Sequence, residues 1–558
     1  MIVQFLKNGK KLLTRRETGI LSAAFFIMLT VFASRFLGLV RDRLLTGFFG
    51  AGSELGVFWA AVEIPDTIFY ILGSAVFSSS FIPIFTDYLE EADDFGSSLI
   101  CKNNSSNWSE AWEMGGAVLR LALLIFFVLG GVIFIFSKPI SKLVAPGFDT
   151  TEISLMSGLV RVMTLAQFFF VLSYFLTSVL QSFQRFFLPA LASFLYNLGV
   201  VLGTILLTPR LGIWGPAWGM VFGAVLHFAI QVPLAVKFGF SFGSFWGRLM
   251  HPGVKRVLRI TIPRVIALLG DKLSLIVQVS LASLIPTLDS VSNVAVLTFA
   301  RHLELVPIGL FGVSFSQATL PSLSRNRCAG KIKEFKEVFS SSFRKTFFLV
   351  APAAIILLVL RIPAVRLAFG AKRFSWKATV LTGYTVAFFS LGIVFYSALH
   401  LLKRAFYALE EARTPVYTSL IFTAFGIFVA WLLTQVLDFG VWAIPLALSV
   451  SGALQAVLLF ILLERRLGAF DREKLFVPVT KIGWATLFSG IVLYLPMRYL
   501  DKLIFDTTRV LGLVLLTGIA GFFGMVVYLV LTWVLDVKET KLFLEYLLSR
   551  LRRLGVRV

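Results

Sequence analysis

Residues 20–43 read ILSAAFFIMLTVFASRFLGLVRDR, and this stretch indicates the fold class of the chain. Its first fourteen residues, 20–33, include no charged side chain. The apolar pattern continues through Arg35 to Arg41, Asp42 and Arg43, which makes the stretch long enough to cross about 30 Å of hydrocarbon. Because lipid offers the backbone no hydrogen bonds, such a stretch must form a helix.

Similar apolar stretches recur along the whole chain. Of its 558 residues, 58% are hydrophobic and 15% are charged, whereas soluble domains are about a quarter charged. We therefore predict an all-α polytopic membrane protein with about fourteen transmembrane helices. The predicted spans are 18–46, 57–88, 113–137, 153–181, 187–208, 213–237, 258–285, 291–320, 345–369, 378–406, 414–437, 440–464, 479–498 and 507–536.

The positions of Lys and Arg predict how these helices are oriented. Basic residues concentrate in the loops at 248–256, 325–345, 403–413 and 465–474, and in the C-terminal tail. By the positive-inside rule, these loops and both termini are cytoplasmic. The excess of Lys and Arg that gives the net charge of +22 is therefore explained by the orientation of the helices, and we expect no nucleic-acid partner. One outer loop departs from the rule, because it contains Arg361, Arg366, Lys372, Arg373 and Lys377.

An internal repeat predicts how the helices are grouped. The triplet Gly212–Trp214 matches Gly440–Trp442, and residues 34–43 match residues 263–272 at a nearly equal offset. Each copy contains six helices, so both copies enter the membrane with the same orientation, and their pseudo-two-fold axis runs along the membrane normal. Such a pair of lobes encloses a substrate cavity that opens to one side of the membrane at a time.

The repeat also predicts the domain boundaries. We assign an N-terminal six-helix lobe to residues 1–250 and a C-terminal six-helix lobe to residues 251–468. Residues 469–558 lie outside the repeat, and they comprise two extra helices followed by a basic cytoplasmic tail.

Charged residues inside the apolar helices are the candidate binding groups. Arg35 falls near the centre of the first helix, where an ionised side chain costs on the order of 2.5–3.5 kcal/mol, so we expect it to face a polar cavity or a partner. The candidate substrate-binding residues of this helix are Ser34, Arg35, Arg41, Asp42 and Arg43. Alternatively, Arg43 extends to the membrane interface, and Asp42 only orients the basic groups.

The repeat supplies a second set of candidates. Arg264, Asp271 and Lys272 correspond to Arg35, Asp42 and Arg43, and we expect the two clusters to form a positively charged cavity between the lobes. Arg264 could instead be an interfacial anchor, and Asp271 a salt-bridge partner. Helices two and eight add candidates close to prolines, which permit bending: Glu63, Arg301, His302 and Glu304.

This excess of basic groups indicates an anionic substrate. The guanidinium fork binds phosphate oxygens in a bidentate manner, and a low dielectric strengthens the pairing. A multidrug or cation antiporter would need uncompensated carboxylates, so it is a less favoured alternative. The chain contains no P-loop or zinc-protease motif, and its loops are too short for an ATP-binding domain. We therefore predict a transporter, not an enzyme, with no cofactor and with a coupling ion of unknown identity.

Several motifs resemble the MurJ/MviN family of lipid II flippases. The combination is specific and spans about residues 20–460. It consists of residues 34–42 (SRFLGLVRD), 64–66 (IPD), 81–83 (FIP), 145–148 (APGF), 307–312 (PIGLFG), 320–324 (LPSLS), 404–408 (RAFYA) and 413–415 (RTP).

The resemblance implies a fold, a substrate and a location. The fold is that of the multidrug/oligosaccharidyl-lipid/polysaccharide exporter superfamily, in the bacterial cytoplasmic (inner) membrane. The implied function is translocation of undecaprenyl-pyrophosphate-linked peptidoglycan precursor to the outer leaflet, with membrane lipids and other cell-wall synthesis proteins as partners. Arg35, Arg41 and Arg264 would then meet the pyrophosphate, and the two extra helices would form a groove for the lipid tail.

The chain departs from the family pattern at three places. Family members have an acidic residue near Gly56 and basic residues at Phe69–Tyr70, and the arginine of helix eight falls at His302, beside Arg301. These differences leave a flippase for another lipid-linked polysaccharide as the main alternative function. A membrane-embedded glycosyltransferase is a further alternative, which would need a large outer loop with a cluster of carboxylates or histidines.

Overall fold

The protein is described here from a computed structural model, which describes residues 20–93, 109–240, 251–287, 290–503 and 510–553. The described residues form two compact units. The first comprises Met1–Leu284 with Ala371–Arg373, and the second comprises Ile285–Gly370 with Phe374–Val558.

The helices of the first unit confirm the predicted all-α class. They are α1 (Ile20–Phe49), α2 (Ser53–Glu63), α3 (Asp66–Phe69), a π-helical segment (Tyr70–Phe81), α4 (Ile82–Asp93), α5 (Ser109–Ile135), α6 (Ser137–Val144), α7 (Thr150–Ser182), α8 (Phe187–Leu211), α9 (Trp214–Ala229), α10 (Val232–Lys237) and α11 (Pro252–Leu284).

The second unit is also helical. It comprises α12 (Asn293–Pro307), a π-helical segment (Ile308–Val313), α13 (Ser314–Cys328), α14 (Ile332–Val359), α15 (Arg361–Phe369), α16 (Trp376–Ala408), α17 (Arg413–Trp431), a π-helical segment (Leu432–Val436), α18 (Ala443–Leu467), α19 (Arg472–Leu503), α20 (Val510–Val534) and α21 (Lys538–Arg553).

Twelve helical stretches in the described part are long and apolar enough to cross a membrane. Each coincides with a predicted span. The other two predicted spans, 18–46 and 258–285, coincide with α1 and α11, which are helical but are not among the twelve. The polytopic all-α fold is thus confirmed, and the count of fourteen stays a prediction.

The two compact units differ from the two lobes that the internal repeat predicts. Helix α11, which the repeat places in the second lobe, lies in the first unit by packing. It packs there against the π-helical segment Tyr70–Phe81. Helices α19 and α20 lie in the second unit, where the Tyr528 hydroxyl donates to the Phe348 carbonyl oxygen at 2.8 Å. The repeat-based boundaries at 250 and 468 stay a prediction.

Prolines interrupt two of the spans. Pro65 separates α2 from α3, and Pro307 ends α12. Proline lacks a backbone donor and clashes with the carbonyl four residues earlier, so it breaks regular α-helical bonding. A π-helical segment begins five residues after Pro65 and directly after Pro307. Such wider turns are rare and cluster at functional sites.

Glycines bring α8 and α9 into close contact. A Cβ atom at Gly219 would lie 3.0 Å from the Gly203 Cα atom, so a larger residue does not fit without a shift of the backbone. Close approach of small residues is a common way in which membrane helices associate. Helix α8, held in this way, also packs against α1 and presents Asn197 to it.

Candidate functional site

Arg41 of α1 is the centre of a polar cluster in the first unit. Its guanidinium forms an ion pair with Asp42, with Nη2 at 2.8 Å and Nε at 2.9 Å from Oδ1. Nη1 donates to Asn197 Oδ1 at 3.2 Å. Asn197 in turn donates to the Ser34 hydroxyl at 3.2 Å. The cluster therefore fixes the guanidinium with contacts from two helices.

The surroundings of this cluster are apolar and aromatic. Asp42 is 3% exposed, and the Arg41 guanidinium carbon lies 5.7 Å from the centroid of the Trp59 ring. A buried carboxylate is costly unless it is paired, and a ring face attracts a cation. Together Asp42 and Trp59 compensate the charge of Arg41 and orient its guanidinium.

A second buried cation, Lys272 of α11, also lies in the first unit. It forms an ion pair with Glu63 at the end of α2, and its Nζ is 5.3 Å from the centroid of the Tyr70 ring. The Lys272 side chain is 1% exposed. Removing one partner of such a pair leaves an uncompensated charge inside the protein, at a cost of about 3–5 kcal/mol.

Next to this pair, Asp66 contacts helix α7. Gln167 Nε2 donates to Asp66 Oδ1 at 3.3 Å. Asp66 follows Pro65 directly, so this bond ties the start of α3 to α7 at the break in the second span. Two polar contacts, Glu63 with Lys272 and Asp66 with Gln167, therefore lie on either side of this break.

The remaining candidates of the first unit are less enclosed. Arg35, Arg264 and Asp271 are exposed, and Arg43 is half-buried. Ser34 is buried against Asn197, as described above. The structure thus brings Ser34, Arg41 and Asp42 together, and separately Glu63 and Lys272. The assignment of all nine first-unit candidates to a substrate site stays a prediction.

The three candidates of the second unit lie on α12, shortly before Pro307. Arg301 and His302 are half-buried, and Glu304 is 5% exposed. Arg301, one helical turn earlier, attracts the Glu304 carboxylate electrostatically. Within the described ranges, no hydrogen bond to Glu304 is formed. This carboxylate is consequently less well compensated than Asp42 or Glu63.

Two contacts between a cation and an aromatic ring are not predictable from the sequence. Trp59 and Tyr70 lie in apolar stretches, where nothing in the pattern shows which side of the helix meets a cation. Lys272 brings an ammonium group to Tyr70 from another helix, a contact that depends on the packing of α11.

Comparisons with known proteins agree with this architecture. Residues 45–514 match the family model described as lipid II flippase MurJ. A probable lipid II flippase MurJ of Rhizobium tropici is 27% identical over 506 residues, which cover 88% of this chain and 90% of the relative. The lipid II flippase MurJ of Burkholderia cenocepacia is 26% identical over 473 residues, which cover 82% of this chain and 85% of the relative.

Solved structures share the fold. A lipid II flippase MurJ in an inward closed conformation superposes with a TM-score of 0.73 and 23% identity, covering 91% of this chain and 98% of the other. An inward-facing multidrug resistance MATE family transporter of the MOP superfamily superposes with a TM-score of 0.63 and 14% identity, covering 78% of this chain and 94% of the other.

Proposed function

The chain belongs to the MurJ family of lipid II flippases, and from that premise we propose that it moves lipid II from the inner to the outer leaflet by alternating access. Lipid II is the undecaprenyl-pyrophosphate-linked peptidoglycan precursor that the sequence motifs imply. The activity is transport without chemical conversion of the substrate. The observation that carries the proposal is the pair of enclosed cations, Arg41 and Lys272, each held by a carboxylate in the first unit.

These cations suit a pyrophosphate. A guanidinium binds phosphate oxygens with two parallel hydrogen bonds, and these bonds are stronger where water is excluded. In the absence of substrate, Asp42 and Glu63 neutralise the cations and reduce the cost of burying them. An arriving pyrophosphate can replace those carboxylates as counter-ion, so that the site binds the headgroup without creating an unpaired charge.

The interrupted spans suit the movement that transport requires. Pro65 and Pro307 remove backbone hydrogen bonds, and the π-helical segments that follow them have wider turns than an α-helix. Hinges in membrane transporters form at such interruptions. We therefore assign the bending of the second and eighth predicted spans to these positions.

The two extra helices suit the lipid tail, as the family resemblance implies. Large apolar residues of α20 are exposed on the surface of the second unit, among them Leu511, Phe522 and Trp533. We propose that the prenyl chain stays in the lipid beside α19 and α20 while the headgroup crosses. We also propose that both termini are cytoplasmic, as the distribution of Lys and Arg predicts.

A cellular transport assay tests the proposed function. The gene is expressed in a bacterial strain depleted of its own flippase, and lipid II at the outer face is quantified. We expect rescue by the unaltered chain, and loss of rescue with Arg35→Ala or Arg41→Ala at equal protein level. Arg210→Ala, at the exposed end of α8, is the matched control. Normal lipid II exposure with Arg41→Ala would remove this residue from the transport site.

A flippase for another lipid-linked polysaccharide is the second candidate function. The departures from the family pattern favour it, because one of them, Tyr70, lies 5.3 Å from the ammonium group of Lys272. The same assay with a strain that lacks a polysaccharide flippase separates the two. We further propose that an ion gradient or the membrane potential drives transport, with no cofactor.

A further inference from the structure

An apolar cavity in the second unit lies apart from the paired cations. It has a volume of about 660 Å³, and residues of α14 and α19 line it, among them Ile355, Leu358, Trp484, Leu487 and Ile491. Gly490 lets the two helices approach there, because a Cβ atom at this position would lie 2.5 Å from Ile355 Cγ1. Trp484, Leu487 and Ile491 are themselves exposed at the protein surface, so the cavity is accessible from the lipid.

The length of this cavity matches one leaflet of a bilayer. The lining residues of α19 run from Trp484 to Leu495. At a rise of about 1.5 Å per residue, this stretch is roughly 16 Å long, about half of the hydrocarbon thickness. In the orientation that we propose, α19 runs from the cytoplasmic side outward, so the cavity lies in the outer leaflet.

The outer end of the cavity is cationic. Arg361, the first residue of α15, is part of the lining. Its Nη1 donates to the Leu358 carbonyl oxygen at 3.0 Å, and its guanidinium carbon is 5.9 Å from the centroid of the Tyr384 ring. Its Nε is buried, and within the described residues it has no hydrogen-bond partner. A buried donor of this kind is costly unless a ligand satisfies it.

The sequence around Arg361 strengthens this charge. Helix α15, which begins at Arg361, also contains Arg366 and no acidic residue, in a segment that the positive-inside rule would leave poor in Lys and Arg. A neighbouring cation, Arg366, lies over the Trp376 ring at 5.6 Å. The segment therefore departs from the topological rule at the place where an apolar cavity ends, which indicates a local role for the charge.

From these observations we propose that the cavity binds an anionic phospholipid of the outer leaflet, with an acyl chain between α14 and α19 and the phosphate on Arg361. This inference uses the proposed orientation but not the proposed substrate. A phospholipid suits the cavity better than a prenyl pyrophosphate does, because the cavity is one leaflet long and ends at one partly unsatisfied guanidinium. The phosphate would accept hydrogen bonds from the half-buried Arg361 guanidinium.

Native mass spectrometry of the full-length protein tests this site. The delipidated protein is titrated with phosphatidylglycerol, and in parallel with a diacylglycerol of the same acyl chains, which lacks the phosphate. We expect one phosphatidylglycerol to bind at least about tenfold more tightly than the diacylglycerol, since a charge-assisted hydrogen bond contributes more than about 1.4 kcal/mol. Equal binding of the two lipids would overturn the phosphate assignment.

Variants locate the binding within the molecule. We expect Arg361→Ala to weaken phosphatidylglycerol binding about tenfold and Arg361→Lys to weaken it less, since lysine keeps the charge but not the fork. Leu487→Trp should block the acyl chain and weaken both lipids. Lys372→Ala, in the same predicted outer loop but outside the cavity lining, is the control. An equal loss with Lys372→Ala would show that only the general charge matters, and would overturn the site.

Two further measurements keep the result interpretable. Unfolding temperatures of the variants without lipid exclude misfolding as the cause, and Arg361→Lys reports on the guanidinium in a protein of unchanged charge. Displacement of phosphatidylglycerol by undecaprenyl pyrophosphate would show that the cavity is a substrate site instead, and would overturn the proposal. If Arg41→Ala loses lipid II transport but binds phosphatidylglycerol normally, the transport site and the phospholipid site are separate.

Discussion

The second span of the first unit and the first span of the second unit are built alike but compensate their buried charge differently. Each has a carboxylate two or three residues before a proline, and each continues as a π-helix. In the first unit the carboxylate, Glu63, pairs with Lys272 from another helix. In the second unit Glu304 has Arg301 one turn away but no hydrogen bond within the described residues. The same interruption is therefore held by an ion pair in one unit and left less restrained in the other.

This difference shows that a proline followed by a π-helical segment can have two roles in one protein. Because both partners of the Glu63–Lys272 pair are largely buried, separating them costs several kcal/mol. A span held in this way resists bending until another anion replaces Glu63 as the counter-ion of Lys272. Among the described residues, Glu304 forms no ion pair with a second helix, so we expect the π-helical segment Ile308–Val313 to rearrange at lower cost. We expect the interruption of the first unit to respond to substrate and that of the second unit to move more freely.

The largest expected effect is on the stability of the first unit. Lys272→Met should lower the free energy of unfolding in detergent by roughly 3 kcal/mol, because it leaves Glu63 without its counter-ion. The double variant Lys272→Met, Glu63→Gln should recover most of that loss, since no charge stays unpaired. Lys237→Met, at the exposed end of α10, is the control. An equal loss in the single and double variants would mean that the pair has no coupling energy.

A smaller effect is expected at the Arg41 cluster. Asn197→Ala removes the bond to Arg41 and the bond to the Ser34 hydroxyl, so it should lower the unfolding free energy by about 1–2 kcal/mol. Transport of lipid II should fall as well, because the guanidinium loses its orientation. The comparison with Arg41→Ala in the same transport assay checks this role. Full transport with Asn197→Ala would show that Asp42 and Trp59 suffice to orient Arg41.

The smallest effect, and the one with an opposite sign, concerns Glu304. Glu304→Gln should leave stability unchanged or raise it by up to about 1 kcal/mol, because it removes a buried charge without stranding a close partner. Glu63→Gln should do the reverse, since it strands Lys272. Chemical unfolding of the two variants in parallel is the measurement. A strong destabilisation by Glu304→Gln would show that the buried carboxylate is as well compensated in the second unit as in the first.

Most of the fold is predictable from the sequence, for a simple physical reason. In lipid an apolar stretch has no alternative to the helix, so residues such as 20–33 and 510–534 determine their own structure. The π-helical segments are not predictable in the same way. Pro65 and Pro307 predict an interruption, but the type of turn that follows depends on the neighbouring helices.

The candidate site is predictable only in part. Arg41 and Asp42 are conspicuous because charge is expensive in an apolar helix. That Glu63 pairs with Lys272 depends on the packing of α11 in the first unit, which no spacing in the sequence encodes. Trp59 and Tyr70 are indistinguishable from the other aromatic residues around them until the structure places cations over their rings.

The most direct test of the central claim, that the enclosed cations bind an anionic headgroup, is the affinity of the purified protein for lipids that differ in that headgroup. Native mass spectrometry should show tighter binding of lipid II than of a neutral glycolipid with the same prenyl chain, and Arg41→Ala should abolish the difference. Equal affinity for both lipids in the unaltered protein, or an unchanged preference in Arg41→Ala, would contradict the account.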